Sequence, residues 1–367
     1  MRRRVLLVLA LVAAAGSIAV VAVADGTSTE QPTPRAPRAQ SAAVRCDRVA
    51  APSGSDGAAG TEGRPFATAA RLVRSLRAGD TGCLRAGTYR IAPMLEFHRA
   101  GTAEAPITLR SYPGERATLA GGTVTILQGA DHVQIAGLTI DGSGRNDVTV
   151  WILGADAVLR DSTVTNRTRG LSCVFLGAGS ARQPPALRSQ IRRNRIEACG
   201  NDAHGDKDHG VYAAQARDAV IADNLLRGSD GWGVQLYPSA QHVRVIRNTI
   251  VGNGGGVIFG GNSRQASSNN VVERNVITDA RETQLVQSYW EGPVGRGNVA
   301  RRNCFGHAPH GATSGDAFRL EENVTASPLY IAPSRGDFRL GEGTGCSAVI
   351  GSPPAPGAPA SVARGTR

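Results

Sequence analysis

Short apolar runs, rich in valine and isoleucine, recur along the chain and are separated by glycine, asparagine and aspartate. Three of these runs, HGVYA, WGVQL and GGVIF, align on Val211, Val234 and Val257, with a step of 23 residues each time. Runs this short, without a 3.6-residue period, are typical of β-strands joined by turns. A fixed step of this length indicates a stacked-repeat architecture, in which each unit packs on its neighbours.

A second short apolar run follows each of the first and ends in asparagine. The steps between these asparagines are 24, 27 and 28 residues. Successive coils of a parallel β-helix lie about 4.8 Å apart, so equivalent positions stack directly above one another. The sequence therefore predicts an all-β fold, a single-stranded right-handed parallel β-helix, with an inward ladder of side chains. The ladder consists of Asn224, Asn248, Asn275 and Asn303.

The flanking segments differ in composition from the repeats. Residues 1–24 hold three arginines and then a long apolar run, which predicts a signal peptide or, if it is not cleaved, a membrane anchor. Residues 25–44 are rich in Pro, Thr and Ala and are typical of a linker, and residues 351–367 of a disordered tail. The β-helix is expected over residues 45–350, in a protein that is secreted or held to a membrane only by its leader.

The start of the β-helix is expected to be covered by a cap spanning residues 45–91. Apolar residues at helical spacing between Pro65 and Arg77 predict an amphipathic helix there, and such a helix can cover the first coil. At the other end, the regular coils are expected to run to about Phe305, with a last partial coil in residues 318–340.

Six cysteines in an exported chain predict three disulfide bonds, although the sequence alone leaves many pairings open. Cys173 and Cys199 are 26 residues apart, about one coil, and are therefore expected to be vertical neighbours. The other pairs join cysteines from the same end of the chain. They are Cys46 with Cys83 and Cys304 with Cys346.

The formal net charge is +11, which favours polyanionic partners such as an acidic polysaccharide or a cell-wall glycan. Arginine supplies nearly all of this positive charge, since Lys207 is the chain's one lysine. The basic residues form no stripe interleaved with aromatic residues, so no nucleic-acid partner is expected. A monomer is expected.

Several segments resemble the exported right-handed parallel β-helix repeat proteins of actinobacteria, in the pectate lyase-like superfamily. They are GTEGRPFATAARLVRSLRAGDTGCLRAGTYR, APITLRSYPGE, DHGVY, GWGVQLYP, NGGGVIFGG and the closing SPLY and GDFRL. The resemblance implies the β-helix fold, which pectate, alginate and chondroitin lyases, polyuronate epimerases and some glycoside hydrolases share. It therefore implies a carbohydrate-active protein, without choosing among these activities.

The segment GNDAHGDKDHGVY, residues 200–212, is the most polar in the chain. A histidine beside a carboxylate can act as general acid or base, and a lysine can do so when its pKa is lowered. The alternating aspartates are an oxygen-rich pattern of the kind that Ca²⁺ prefers. The predicted catalytic residues are His209, Lys207, Asp208 and Tyr212, and the candidate calcium ligands are Asp202, Asp206 and Asp208.

Strand alternation extends this site across neighbouring coils. With Val211 inward, Tyr212 and the equivalent residues of later coils point outwards, and a shallow sugar-binding groove is expected on that outer face. Trp232, Gln235 and Tyr237 are its predicted substrate-binding residues. Arg167 and Arg169, expected two coils earlier, are candidates to neutralise a substrate carboxylate.

These features predict an exported protein that acts on an acidic polysaccharide by proton abstraction, as a lyase or a C5-epimerase. One alternative is a non-catalytic surface module that binds glycan or wall polymer through the same groove. Another is a glycoside hydrolase, which needs two carboxylates and for which Asp208 and Asp230 are about one coil apart. Calcium is the only cofactor that the sequence indicates.

Overall fold

The computed structural model describes residues 45–144, 147–178, 183–201 and 208–347. Within these ranges the chain passes in turn through three long parallel sheets, here sheets 1, 2 and 3, and then returns to sheet 1 one coil further on. Each strand pairs in parallel with the strand of the previous coil and that of the next, as β17 (Val211–Ala213) pairs with β13 (Val174–Leu176) and β21 (Trp232–Leu236). The predicted parallel β-helix is confirmed.

The strands are numbered in chain order. Sheet 1 consists of β1 (Arg48–Ala50), β2 (Thr81–Leu84), β5 (Ile107–Ser111), β8 (Val133–Ala136), β11 (Val158–Arg160), β15 (Gln190–Arg192), β19 (Val220–Ala222), β22 (Arg244–Ile246), β25 (Val271–Glu273), β28 (Asn298–Arg301) and β31 (Phe318–Glu321). Sheet 2 consists of β3 (Gly87–Arg90), β6 (Ala117–Ala120), β9 (Thr139–Asp141), β12 (Thr163–Thr165), β16 (Arg195–Glu197), β20 (Leu225–Arg227), β23 (Thr249–Val251), β26 (Val276–Thr278), β29 (Cys304–Phe305) and β32 (Val324–Thr325).

Sheet 3 carries the outer face on which the groove is expected. It consists of β4 (Met94–Phe97), β7 (Thr123–Ile126), β10 (Val150–Ile152), β13, β17, β21, β24 (Gly255–Gly261), β27 (Val286–Trp290) and β30 (Thr313–Ser314). Two short pairs lie outside these sheets: β14 (Ala186–Leu187) with β18 (Ala216–Arg217), and β33 (Tyr330–Ala332) with β34 (Asp337–Leu340), joined by a 3-10 turn at Pro333–Arg335.

The predicted cap helix is present but shorter than expected: α1 spans Ala69–Ser75. Asp56 fixes its start, because one carboxylate oxygen accepts the backbone N–H groups of Ala67 and Thr68 and holds Thr68 in an extended conformation. The Thr68 hydroxyl then caps the helix by accepting the N–H of Arg71 at 3.1 Å. No helix within the described ranges has the length and apolarity needed to cross a bilayer.

The coils continue beyond Phe305, where the sequence analysis expected them to stop. Strands β30, β31 and β32 extend all three sheets by parallel pairing. Their burial is lower than that of earlier strands, which explains why their apolar pattern is weak. The chain then forms the antiparallel pair β33–β34 rather than another coil.

The corner between sheets 1 and 2, here corner 1, contains the predicted asparagine ladder. In each of its steps the side-chain oxygen of one asparagine accepts the backbone N–H and the Nδ2 of the asparagine one coil earlier, at 2.8–3.1 Å. The ladder is longer than predicted, since Asn194 precedes it and Asn323 follows it. All of the four predicted members are buried.

The three predicted disulfide bonds are all present, joining Cys46 to Cys83, Cys173 to Cys199 and Cys304 to Cys346. The core between the sheets is a set of vertical columns of aliphatic side chains. One column in sheet 3 contains the three valines on which the repeat was aligned, which are wholly buried and in register. Burial of these columns is the main favourable contribution to folding.

Candidate functional site

The most polar segment of the sequence lies at the corner between sheets 2 and 3, here corner 2. Between β16 and β17 this corner is 13 residues long, whereas between β23 and β24 it takes 3 residues. Of the predicted site residues, Lys207, Asp202 and Asp206 lie outside the described residues. Asp208 and His209, which end the corner and lead into β17, are described and are both buried.

His209 is fixed by hydrogen bonds on all sides. Its Nδ1 accepts the backbone N–H of Trp232 at 3.0 Å, and its side chain also hydrogen-bonds that of Gln235. Its own backbone N–H donates to the hydroxyl of Ser172, and its carbonyl accepts from the N–H of Cys173. Because Nδ1 is an acceptor, the neutral ring carries its proton on the other nitrogen.

Burial also sets the protonation state of His209. Desolvation lowers the pKa of the imidazole to about 3, and the hydrogen bond with Gln235 acts in the opposite direction without overcoming it. The side chain is 1% exposed, so no polymer reaches it in this conformation. The sequence-based prediction of an accessible histidine on the outer face is therefore wrong, because both ring nitrogens and the surface of the ring are already used within the fold.

Tyr212 points out of β17, as predicted, and stacks in a column of aromatic residues one coil apart. Its ring lies 4.7 Å from that of Phe175, which lies 5.9 Å from that of Trp151, and the ring of His209 packs against it at 5.4 Å. Burial, and secondarily the neighbouring Tyr237, raises the pKa of the Tyr212 phenol. Tyr212 is therefore protonated near neutral pH and can donate a hydrogen bond.

The predicted groove residues divide into buried and accessible ones. Trp232 is 5% exposed, so the expectation that its ring stacks on a sugar is not met; its alignment with His209 places it beneath the surface, where Gly255 of the next coil approaches its ring. Gln235 is half-buried and is in register with Tyr212 and Ile258, as predicted. Tyr237 is half-buried at the far end of β21.

An accessible aromatic surface does occur around Tyr237. Partial burial, and then the nearby Glu291 and Tyr289, raise the pKa of Tyr237. Tyr289 is 54% exposed, and the indole N–H of Trp290 donates to Asp316 at 3.1 Å. These rings, two coils after β21, supply the exposed faces that a pyranose ring can pack on.

Two buried carboxylates lie side by side at corner 2. A Cβ added to Gly200 would lie 2.6 Å from the Cβ of Asp230 and 2.9 Å from that of Asp208, so the two aspartates flank the same glycine. Gly200 has φ +106°, a conformation that disfavours other residues, and its missing side chain makes room for both. Asp208 is 5% exposed and Asp230 7%, and the backbone carbonyl of Asp208 accepts the N–H of Gly231 at 2.7 Å.

The candidate arginines are closer to this pair than the sequence indicated. Arg167 and Arg169 lie one coil before the 200–209 segment, not two, since Thr168 donates its backbone N–H to the carbonyl of Ala198. Arg167 is already paired with Asp141, at 2.8 Å from both Nε and Nη2. Arg169 is exposed.

The sequence analysis did not single out Arg281. Its guanidinium donates to the backbone carbonyl of Ser229 at 2.9 Å and approaches that of Asp230 at 3.4 Å, from corner 2 two coils later. Its position three residues after β26 is equivalent to that of Asp230 after β20, and this offset was the available signal. Within the described part of the chain, no three His, Cys, Asp or Glu side chains are grouped so as to hold a metal ion.

Comparisons with known proteins agree with this architecture. Pectate lyase PEL9 of Emericella nidulans is 39% identical over 80 residues, which are 22% of this chain and 20% of that protein. The uncharacterized protein YwoF of Bacillus subtilis is 25% identical over 202 residues, which are 50% of this chain and 42% of that protein. The chain thus matches less than half the length of each of these relatives.

Solved structures show the same fold at low sequence identity. The crystal structure of pectate lyase Pel9A superposes with a TM-score of 0.59 at 13% identity, covering 82% of this chain and 90% of that one. A glycoside hydrolase superposes with a TM-score of 0.54 at 10% identity, covering 76% and 97%. The family model described as Pel9A-like, right handed beta helix region matches residues 49–283, well over half of the chain. The protein therefore belongs to the Pel9A-like right-handed β-helix family.

Proposed function

We propose that the protein is exported and cleaves an acidic polysaccharide by β-elimination at corner 2. The observation that carries the proposal is the buried pair Asp208 and Asp230, which flank Gly200 on the longest corner and adjoin the one lysine in the sequence. Family membership supports a carbohydrate-active protein, and the pectate lyases among the similar proteins favour elimination over epimerisation. Three disulfide bonds support export, because such bonds persist in oxidising compartments.

The reaction begins when a base removes the proton from the ring carbon that bears the carboxylate. The electron pair forms a double bond to the neighbouring ring carbon, the glycosidic C–O bond at that carbon breaks, and the leaving oxygen takes up a proton. A C5-epimerase shares the first step and returns the proton to the opposite face. The enzyme must therefore supply a base, a positive charge beside the carboxylate and a proton donor.

Lys207 is the best candidate for the base. The low pKa of His209 and its engaged ring nitrogens argue against that residue, and the raised pKa of Tyr212 keeps its phenol protonated. A lysine can act as a base when a nearby cation or burial lowers its pKa. Lys207 directly precedes Asp208 and is therefore covalently tied to the carboxylate pair. Arginine, the other basic residue of this chain, stays protonated at any pH of interest.

The positive charge can come from Ca²⁺ and from arginine. Two adjacent carboxylates are the oxygen ligands that Ca²⁺ prefers, so Asp208 and Asp230 fit this ion, with Asp202 and Asp206 as further candidates from the sequence. Bound calcium would stabilise the negative charge that develops on the substrate carboxylate. Arg281, which contacts the backbone of Asp230, is a better-placed arginine for this role than Arg167, which is paired with Asp141. Tyr237 and Tyr289 would pack on neighbouring sugar rings.

The same carboxylate pair supports a second candidate, glycoside hydrolysis. Retaining glycosidases use two carboxylates about 5 Å apart, one as nucleophile and the other as acid and base. Asp208 and Asp230 are neighbours of this kind around Gly200, and a structurally similar protein is a glycoside hydrolase. A hydrolase leaves no double bond in its product and does not need Lys207, so the product and one variant separate the two activities.

The test compares the wild type with Lys207→Ala and Lys207→Arg on polygalacturonate, alginate and glycosaminoglycans, with and without calcium. Unsaturated product is followed by ultraviolet absorbance, and solvent deuterium at the carboxylate-bearing carbon by NMR. We expect both variants to lose elimination by about 10²–10⁴-fold, the usual contribution of a general base. Lys207→Arg keeps the charge but cannot accept a proton, so it separates a base from a merely electrostatic role.

An Arg244→Ala variant, at an exposed arginine on sheet 1, controls for loss of one positive charge. Full activity in Lys207→Arg would assign the base to another residue. Reducing ends without unsaturation would establish the hydrolase instead. Binding to a polyuronate without exchange or cleavage would leave a non-catalytic glycan-binding module.

A further inference from the structure

A second cavity lies far from corner 2, beside the cap helix. It has a volume of about 410 Å³, within the range of roughly 300–1,000 Å³ that is usual for ligand sites. Small and apolar residues, including Ala58, Ala59 and Phe66, line part of its wall. Five guanidinium groups line the rest, those of Arg48, Arg71, Arg74, Arg77 and Arg99, and we call this cavity the cap pocket.

These arginines differ from those on the flanks of the helix. On the flanks, arginines such as Arg188, Arg193 and Arg247 pair with an aspartate of the neighbouring coil at 2.6–2.7 Å. Among the described residues, none of the five cap-pocket arginines has a carboxylate oxygen within 4.0 Å. Asp56 is the neighbouring carboxylate, and its oxygens are taken by Thr68 and Ala67. The cluster therefore presents uncompensated positive charge.

Two of the five are held in place by the cap. Arg71 lies over the ring of Phe66, 4.9 Å from its centre, and donates to the carbonyl of Asp56. Arg99 donates to the carbonyls of Arg74 and Leu76 at the end of α1. The other three are exposed, and their guanidinium groups form no hydrogen bond with another side chain of the described chain. A fixed pair beside three free guanidiniums suits an extended ligand that carries several oxyanions.

The cap pocket is on the same sheet as the site at corner 2. Arg99 follows β4, the first strand of sheet 3, and β17 is four strands further along that sheet. Four interstrand steps correspond to roughly 20 Å along the helix axis. A polymer can extend over this distance, whereas a short oligosaccharide cannot occupy both places.

We propose that the cap pocket is a second binding site for a long acidic polysaccharide, in which the arginines bind its repeating carboxylates at a distance from the cleavage site. This inference rests on the proposed function for its choice of ligand, since the carboxylate-rich polymer is the expected substrate. The charge of the pocket and its lack of internal partners are independent of that choice.

The test measures the affinity of the full chain for long polygalacturonate and for a galacturonate trimer by calorimetry at low ionic strength. A Lys207→Ala background keeps the polymer intact. The variant Arg48→Gln/Arg74→Gln/Arg77→Gln removes three charges that make few structural contacts, and Arg217→Gln/Arg244→Gln/Arg274→Gln removes three exposed charges from elsewhere on the helix. We expect the first variant to bind the polymer about tenfold more weakly, the combined effect of three screened ion pairs, and the control to bind it within about twofold of wild type.

The trimer is expected to bind all three proteins equally. Melting of the cap variant is expected at or above the temperature of the wild type, because like charges are removed; if that variant does not fold, Arg74→Glu, at an exposed position, gives the same comparison. Equal polymer affinity in the cap variant and its control would overturn the proposal, as would tight binding of polyphosphate with no binding of polyuronate. Loss of polymer binding in a chain that cleaves no substrate would support the cap pocket and reject the lyase.

Discussion

Corners 1 and 2 of the same coils obey different rules. At corner 1 two residues separate the strands in coil after coil, as between β15 and β16, β19 and β20, or β22 and β23. At corner 2 the connection varies from 3 residues between β23 and β24 to 13 between β16 and β17. The constant corner holds the coils in register, whereas the variable one can present different side chains in each coil. Candidate chemistry is found at the variable corner, as is usual for loops on a rigid scaffold.

The constancy of corner 1 has a physical cause. The residue before each ladder asparagine has positive φ, as Arg193, Asp223 and Arg247 do, which costs about 1–2 kcal/mol for a residue other than glycine. The following asparagine offsets this cost by bonding the next coil with both its amide nitrogen and its oxygen. An insertion would break the stack of asparagines, so this corner has one allowed length.

The largest effect is expected from breaking the ladder. In an Asn248→Ala variant, the backbone N–H and Nδ2 of Asn224 lose their acceptor, and the carbonyl of Ile221 loses its donor. Buried polar groups without partners cost about 1–3 kcal/mol each before relaxation, so the free energy of unfolding should fall by about 3 kcal/mol. Urea denaturation with the disulfides intact measures this change.

Asn262→Ala is the matched control, because Asn262 also accepts backbone N–H groups, from Arg264 and Gln265, but in a turn near the surface. Its loss should cost at most about 1 kcal/mol. Equal costs at the two positions would show that stacking of the asparagines does not explain the constancy of corner 1.

A second effect, at corner 2, depends on pH. The pKa of His209 is about 3 in the folded protein and about 6.5 in an unfolded chain, so between these values the unfolded state binds one more proton. The stabilisation is present above pH 6.5 and is lost as the pH falls towards 3. Between pH 6.5 and 5, where most carboxylates stay ionised, the free energy of unfolding should fall by about 1.4 kcal/mol per pH unit once the unfolded histidine is protonated.

In His209→Asn this slope should disappear, since an amide oxygen can accept the N–H of Trp232 without titrating. The same urea series, repeated across that pH range, measures the difference between the two proteins. An unchanged slope would mean that His209 is protonated in the folded state and that corner 2 opens more readily than its burial indicates.

The smallest effect is expected from the ion pairs on the outside of corner 1. Arg247 binds Asp223 through two hydrogen bonds at 2.7 and 2.8 Å, but its side chain is 46% exposed. An Arg247→Gln change should therefore lower the free energy of unfolding by about 0.5 kcal/mol, measured at low salt, where screening is least. A loss as large as that of Asn248→Ala would assign the corner's stability to its charges rather than to its buried amides.

Most of the fold could be predicted from the sequence because the repeat brings equivalent residues together. Once the period is known, the register of Val211 with Val234 and the pairing of Cys173 with Cys199 follow from counting. The cap helix was predicted too long because the carboxylate of Asp56, distant in sequence, holds Thr68 in an extended conformation. No local pattern in residues 65–77 contains that contact.

The candidate site was only partly predictable. Strand alternation gave the outward direction of Tyr212 and Gln235, but it could not show that neighbouring side chains and the 13-residue corner bury His209 and Trp232. Arg281 belongs to this site through contacts with the backbone of Ser229 and Asp230, across two coils of variable length.

The sequence by itself determined the period, the strand faces, the asparagine ladder and the disulfide pairs, because all of these depend on vertical stacking at a fixed repeat. Only the tertiary structure decided which polar groups are buried, which carboxylates meet around Gly200 and which arginines converge in the cap pocket. These features depend on corner lengths and on contacts between the cap and the first coils, where the repeat is interrupted. Burial and charge at such places are properties of the folded surface, and no single segment of the sequence encodes them.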